Sequence, residues 1–164
     1  MDLLDDAKID LAIGIEGRVQ PWCRYQELFR DELAFVVSPL HPWASLKSIN
    51  MEQAAEESYL VYARKSETYR LIRAHFEDAG LRFRATLSLG SMEAIKEMAK
   101  IGIGVGIVSP WVARAEIEAG DLVSIPIWNK PPSRSWGIFI HETKSLSLIE
   151  ETFIGICETV TKGF

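Results

Sequence analysis

The 164-residue sequence predicts an α/β fold, and three features of one stretch carry that prediction. The stretch is Leu87 to Pro110, LSLGSMEAIKEMAKIGIGVGIVSP. First, Thr86-Leu87-Ser88-Leu89 alternates with the period of two expected of a half-buried strand. Second, Ser91 is a helix N-cap after Gly90, and Met92, Ile95, Met98, Ala99 and Ile101 recur at helical spacing. Third, Gly102 and Gly104 end that helix, and Val105-Gly106-Ile107-Val108 is the short apolar run of a strand buried in a parallel sheet. Pro110 then opens another helix. Such crossovers set helix N-termini at the carboxyl edge of a sheet, where free backbone N–H groups face a small anion.

Composition narrows the function classes. A hydrophobic fraction of 48% suffices for a core in one domain or in two small lobes. The formal charge of −5, with 18 Lys and Arg dispersed among 23 acids, argues against nucleic-acid binding by this chain. Cys23 and Cys157 are too few for a disulfide framework or a zinc site, and two free thiols suit a reducing cytoplasm. No apolar run reaches membrane-spanning length, and Met1-Asp2 begins no signal peptide, so a cytoplasmic location is expected. His41, His75 and His141 lack metal-ligand spacing. There is no Gly-x-Ser-x-Gly elbow and no phosphate loop. Gly102-x-Gly104-x-Gly106 precedes a strand rather than opening a helix after one, which is the wrong context for a dinucleotide. Neither catalysis nor a cofactor is expected.

The remaining elements follow in order. Leu3 to Ala7 reads as the tail of a helix, and Lys8 to Ile13 as a strand stopped by Gly14. Gly14-Ile15-Glu16-Gly17-Arg18 is then a loop at the strand's carboxyl end, where ligands sit in open sheets. Tyr25–Phe29 and Glu32–Val37 read as two strands split by Arg30-Asp31. Ser38-Pro39-Leu40-His41-Pro42-Trp43 turns the chain; His41 caps a turn or touches a ligand. Asn50 and Gln53 form a capping pair for a helix over Met51–Glu57, and Tyr59–Tyr62 is a strand. Ser66 caps the next helix, which carries Leu71, Ile72, His75, Phe76 and Ala79 inward and ends at Gly80. A helix around Trp111–Ile117, a strand over Asp121–Ile127 and the linker Asn129–Ser133 come next. Ser135–Ile140 supplies a strand, and Ser147 with Glu150 is a capping box for the last helix.

Several of these pieces together resemble one family. Ser91-x-Glu93, then Lys96-x-x-Ala99-x-x-Gly102-x-Gly104-x-Gly106-Ile107-x-x-Pro110, is similar to the second half of the effector-binding domain of LysR-type transcriptional regulators. Lys8–Ile13, Leu33–Val37 with Ser38–Pro42, and Glu118–Val123 match in the correct order. The resemblance implies a periplasmic-binding-protein type II-like fold of two Rossmann-like lobes with a hinged cleft. It sets residues 1–42 and 134–164 in the first lobe and 43–133 in the second, with crossovers at 39–45 and 128–135. The strand–helix–strand unit that opens the family's first lobe has no counterpart here, so that lobe is expected to be incomplete. A small organic metabolite or anion is the implied effector, with Ser66, Glu67, Thr68, Ser91, Met92, Gly14, Ile15, Gly106 and Pro39 as its contacts, although Met92 reads first as a core methionine and Gly106 as tight packing between helix and strand. A homodimer or tetramer is implied, touching DNA only through an N-terminal helix-turn-helix absent from this chain, and no membrane. The alternative is a free-standing periplasmic-type solute-binding protein.

Overall fold

A computed structural model describes residues 2–17, 20–128 and 130–163. Arg18 and Asn129, from the expected ligand loop and linker, lie outside them. The chain forms two compact units, one of residues 1–31 with 134–164 and the other of residues 32–133. Residues 32–42, expected with the first lobe, belong to the second unit because Ala34–Val37 lies deep inside its sheet.

The discontinuous unit contains α1 (Asp2–Asp5), β1 (Leu11–Ile15) and β2 (Cys23–Glu32). β2 is one ten-residue strand. The expected break at Arg30-Asp31 falls instead at Leu33, because Asp31 is held inside this unit by a buried arginine described below. The strand after α1 also starts and ends later than its apolar pattern suggests. Lys8 and Ile9 close the helix by donating their backbone N–H to the carbonyl of Leu3. Gly14 and Ile15 therefore lie within β1.

The continuous unit begins with β3 (Ala34–Val37), a 3₁₀ turn at Pro42–Ser45, α2 (Met51–Glu56), β4 (Tyr59–Tyr62) and α3 (Glu67–Asp78). It goes on with β5 (Ala85–Leu89), α4 (Met92–Lys100), β6 (Val105–Val108), a 3₁₀ turn at Pro110–Ala113, α5 (Arg114–Ala119) and β7 (Val123–Pro126). Its sheet runs β5-β4-β6-β3-β7. β4 is parallel to β5 and β6, while β3 is antiparallel to β6 and β7. Because strand side chains alternate, Tyr59 and Val61 face α3 with Ile72 and Phe76, whereas Leu60 faces α4 with Ile95 and Ala99. Successive helices thus cover opposite faces of the sheet. The sequence explains the joints: the Asn50–Gln53 capping box opens α2, and Gly80 ends α3 at φ +73°.

The chain then returns to the first unit with β8 (Ser133–His141) and α6 (Leu148–Thr161), giving a three-stranded sheet ordered β1-β8-β2. α6 packs Ile154 and Cys157 on Ile138 and Ile140. At its start Ser147 accepts from the Glu150 N–H, and the Glu150 carboxylate accepts from the Ser147 N–H at 2.5 Å. That backbone bond, with the Ser147 hydroxyl and Lys144, pulls the Glu150 pKa from 4.5 down to about 2. A group depressed in the folded state stabilises it above its unfolded pKa and ceases to do so as pH falls through the folded one. Glu150→Gln should therefore be less stable than the wild type at pH 6, and the two should converge as pH drops from 4.5 toward 2. Urea melts across that range check this, and a gap independent of pH would refute it.

Candidate functional site

Two helix N-termini stand side by side at one end of the continuous unit. β4 and β5 are parallel neighbours with Tyr62 opposite Leu89, so the loops that follow both strands emerge at the same edge. One leads to Ser66 and α3, the other to Ser91 and α4, and these helices cover opposite faces. Loops parting to opposite faces leave a crevice at the carboxyl ends of the strands, the usual ligand position in open α/β sheets. The Ser66 Oγ accepts from the Tyr69 N–H at 3.1 Å, and the Ser91 Oγ accepts from the Ala94 N–H at 3.1 Å. A hydroxyl used as an acceptor keeps its own proton to donate. Each helix start therefore offers an O–H beside backbone N–H groups, with the positive end of the helix dipole behind them.

The surroundings of Ser66 are basic. A pocket of about 430 Å³ is lined by Arg64, Lys65, Ser66, Glu67, Tyr69, Arg70 and Arg73. Glu67 pairs with Arg70 one turn along α3, and Arg73 pairs with Glu77 at 3.0 Å. Arg64 donates to the Ala85 carbonyl at 3.1 Å, which ties the pocket wall to β5. The four cations outnumber the single pocket carboxylate, so the pocket suits an anion. They are also the part that sequence reasoning missed. The signal was present: Arg64-Lys65 precede the cap, and Arg70 and Arg73 share one helix face at i, i+3.

The other expected contacts fall in different places. Thr68 is buried, so its side chain points inward from the α3 start. Met92 is half-buried against the cluster of Val36, Leu60 and Ile95. Gly106 is a packing residue: a Cβ there would meet Val36 Cγ2 at 2.7 Å and Ile95 Cγ2 at 3.0 Å. Gly14 and Ile15 are strand residues paired with Gly137 and Trp136, not loop residues. Pro39 lies at the opposite end of the sheet from Ser66 and Ser91. It follows β3, which is antiparallel to β6, and it lines a different pocket with Glu97, Lys100 and Asp121 at the far end of α4. His41 caps the 3₁₀ turn by accepting from the Trp43 N–H at 3.1 Å.

The discontinuous unit has its own polar network. The Tyr25 and Ser135 hydroxyls are 2.8 Å apart, Ser135 donates to Glu27 at 2.7 Å, and Arg30 grips both Glu27 oxygens. Hydrogen bonds from Arg30 and Ser135 hold the Glu27 carboxyl below its ordinary range, while burial pushes the Tyr25 phenol up. Among the described residues, no group of three or more His, Cys, Asp or Glu side chains is placed to hold a metal ion, and no helix is long and apolar enough to cross a membrane.

The model of the LysR substrate binding domain matches residues 1–162. The chain is 25% identical over 148 residues to the RuBisCO operon transcriptional regulator of Allochromatium vinosum, covering 90% of this chain and 49% of that protein. It is 25% identical over 129 residues to the transcriptional activator CmpR of Synechocystis, covering 79% and 42%. The chain thus spans about half the length of the curated relatives it matches. The regulatory domain of Synechocystis CcmR, solved in complex with 2-PG, superposes with a TM-score of 0.87 at 26% identity, covering 99% of this chain and 78% of that one. The effector-binding domain of QuiR in complex with shikimate gives 0.83 at 20% identity, covering 99% and 76%. The fold is that of these regulatory domains, the periplasmic-binding-protein type II-like fold.

Proposed function

From the premise that the chain belongs to the LysR substrate binding domain family, we propose that it is the effector-sensing part of a transcriptional regulator and takes a small organic anion at the carboxyl ends of β4 and β5. The observation that carries this reading is the pair of serine-capped helix starts, Ser66 and Ser91, on register-paired strands, with Arg64, Lys65, Arg70 and Arg73 around the first. Ser66, Ser91 and the α3 backbone donate to the anion, and Glu67, neutralised by Arg70, shapes the rim. A free-standing solute-binding protein has no support among relatives that are transcriptional regulators. The chain performs no catalysis. It works in the cytoplasm inside a homodimer or tetramer, and reaches DNA through a helix-turn-helix in another part of the polypeptide. The effector acts by binding one conformation better than another, since only differential affinity shifts such an equilibrium.

Thermal unfolding with 2-PG, inorganic phosphate and simple carboxylates tests this. A ligand at a hundred times its Kd adds about 2.7 kcal/mol of stability. Ser66→Asp keeps a good N-cap but sets a negative charge where the anion would sit. The expected result is a raised midpoint for at least one anion with the wild type and none with Ser66→Asp, whose own midpoint stays near the wild-type value. An equal response from both proteins, or no response to any anion, would overturn the assignment.

A further inference from the structure

Glu67 is the one acid in a pocket that suits an anion. It lines that pocket with Arg64, Lys65, Arg70 and Arg73, in the first turn of α3 beside the Ser66 cap. Its carboxylate pairs with Arg70 one turn along. Pairs at this spacing are ordinarily solvated features of a helix surface. This one is sheltered differently. In the other pairs within helices among the described residues, Arg73–Glu77, Lys96–Glu93 and Lys100–Glu97, the acid is 56%, 67% and 55% exposed. Glu67 is 26% exposed, and its partner Arg70 66%. The carboxylate is thus the enclosed member of the pair. Favouring the helix dipole does not require that, since Glu93 does the same for α4 from solvent. Arg73 is already matched by Glu77 at 3.0 Å. Of the remaining pocket cations, Arg64, Lys65 and Arg70, Glu67 takes up the last.

We propose that Glu67 is a resident counter-ion, which holds Arg70 until an effector displaces it. The inference rests on the anion site proposed above and adds what that site demands of its ligand. A free carboxylate offers Arg70 the same group that Glu67 already gives. Because Glu67 is tethered within reach, its effective concentration is of millimolar order or more. A singly charged acid below that concentration therefore gains little from the exchange. An anion with a second charge does gain, because Arg64 and Lys65 attract the charge that Arg70 leaves unmatched. Glu67 thereby selects doubly charged head groups, such as a phosphate monoester or a dicarboxylate. It also sets the concentration at which the site responds, since every ligand that uses Arg70 must first break the same pair.

Titration calorimetry with 2-PG, inorganic phosphate and acetate tests this on the wild type and Glu67→Gln, beside thermal unfolding without ligand. Glutamine keeps the length of the side chain and removes its charge. Glu67→Gln should bind 2-PG or phosphate about fivefold tighter than the wild type at low ionic strength, the upper end for releasing an exposed ion pair. That gain should shrink in about 0.5 M salt, where exposed charges are screened. The unliganded midpoint should fall slightly, because a first-turn acid is lost. Tighter binding with lower stability are opposite effects, whereas a merely structural Glu67 would lower both. Adding Ser66→Asp to Glu67→Gln should abolish the gain, which locates it in this pocket. Equal or weaker binding by Glu67→Gln, with a wild type that responds, would overturn the inference and leave the anion site standing. Acetate bound by the wild type as tightly as phosphate would overturn the charge selection in the same way. A response of neither protein to any of the three anions would overturn both readings.

Discussion

Replacing Arg134 by Met should destabilise the discontinuous unit by about 3–5 kcal/mol, the usual cost of stranding one member of a buried ion pair. Arg134 donates Nε and Nη2 to the two carboxylate oxygens of Asp31, at 2.8 Å and 2.5 Å, and the side chains are 2% and 4% exposed. The guanidinium also lies over the Trp136 ring at 5.1 Å, and the indole N–H donates to Asp31 at 3.2 Å. Without the arginine, a buried carboxylate keeps the indole bond but loses its counter-charge. Asp31→Asn should cost a comparable amount with the opposite charge stranded. Replacing both residues with apolar ones of similar volume should recover most of the loss. Chemical denaturation of the two single variants and the double variant measures all three values. A single substitution costing under about 1 kcal/mol would show that the pair is solvated, as surface pairs are.

Phe35→Ala should remove about 3–5 kcal/mol from the continuous unit, the range for truncating a buried aromatic. Phe35 is fully buried on β3, the strand that joins β6 to β7. Its ring meets Trp43, Tyr59 and Trp128 at centroid distances of 5.3, 5.8 and 5.9 Å. These come from a 3₁₀ turn, a neighbouring region of the sheet and the segment after β7, so no single neighbour can move to fill the void. Native-state hydrogen exchange gives the readout. Amides of β3, β6 and β7 should lose protection, while Phe35→Leu should lose much less because it keeps most of the volume. Equal losses for the two variants would mean that the ring contacts contribute little beyond bulk.

Much of the fold was legible in the sequence because local signals agree with the tertiary arrangement. Ser66, Ser91 and Ser147 cap the helices whose apolar periodicity they precede, and the Val105–Val108 run is a buried strand. What could not be read depends on partners distant along the chain. Nothing in Gly14-Ile15 announces that Gly137 and Trp136 will extend β1 across them. Arg30-Asp31 looks like a break, since charges are unfavourable inside a strand, until Arg134 supplies the counter-charge from 103 residues away. The candidate site divides along the same line. The two caps are visible because capping is local, and the basic wall was within reach for the same reason. Pro39 was misplaced because adjacency in a resembled motif says nothing about which end of an antiparallel strand it occupies.

The strand order β1-β8-β2 sets a timetable for synthesis. β1 and β2 leave the ribosome early, yet the strand that lies between them is encoded after the whole of residues 32–133. The continuous unit has all its strands available before β8 appears, so it can fold first and serve as a preformed loop that brings the late strand back. Until then both early strands have open edges and no sheet face to bury, the condition in which strands recruit neighbouring chains. A slow codon stretch or a bound chaperone would matter most in the interval between the completion of β7 and the emergence of α6.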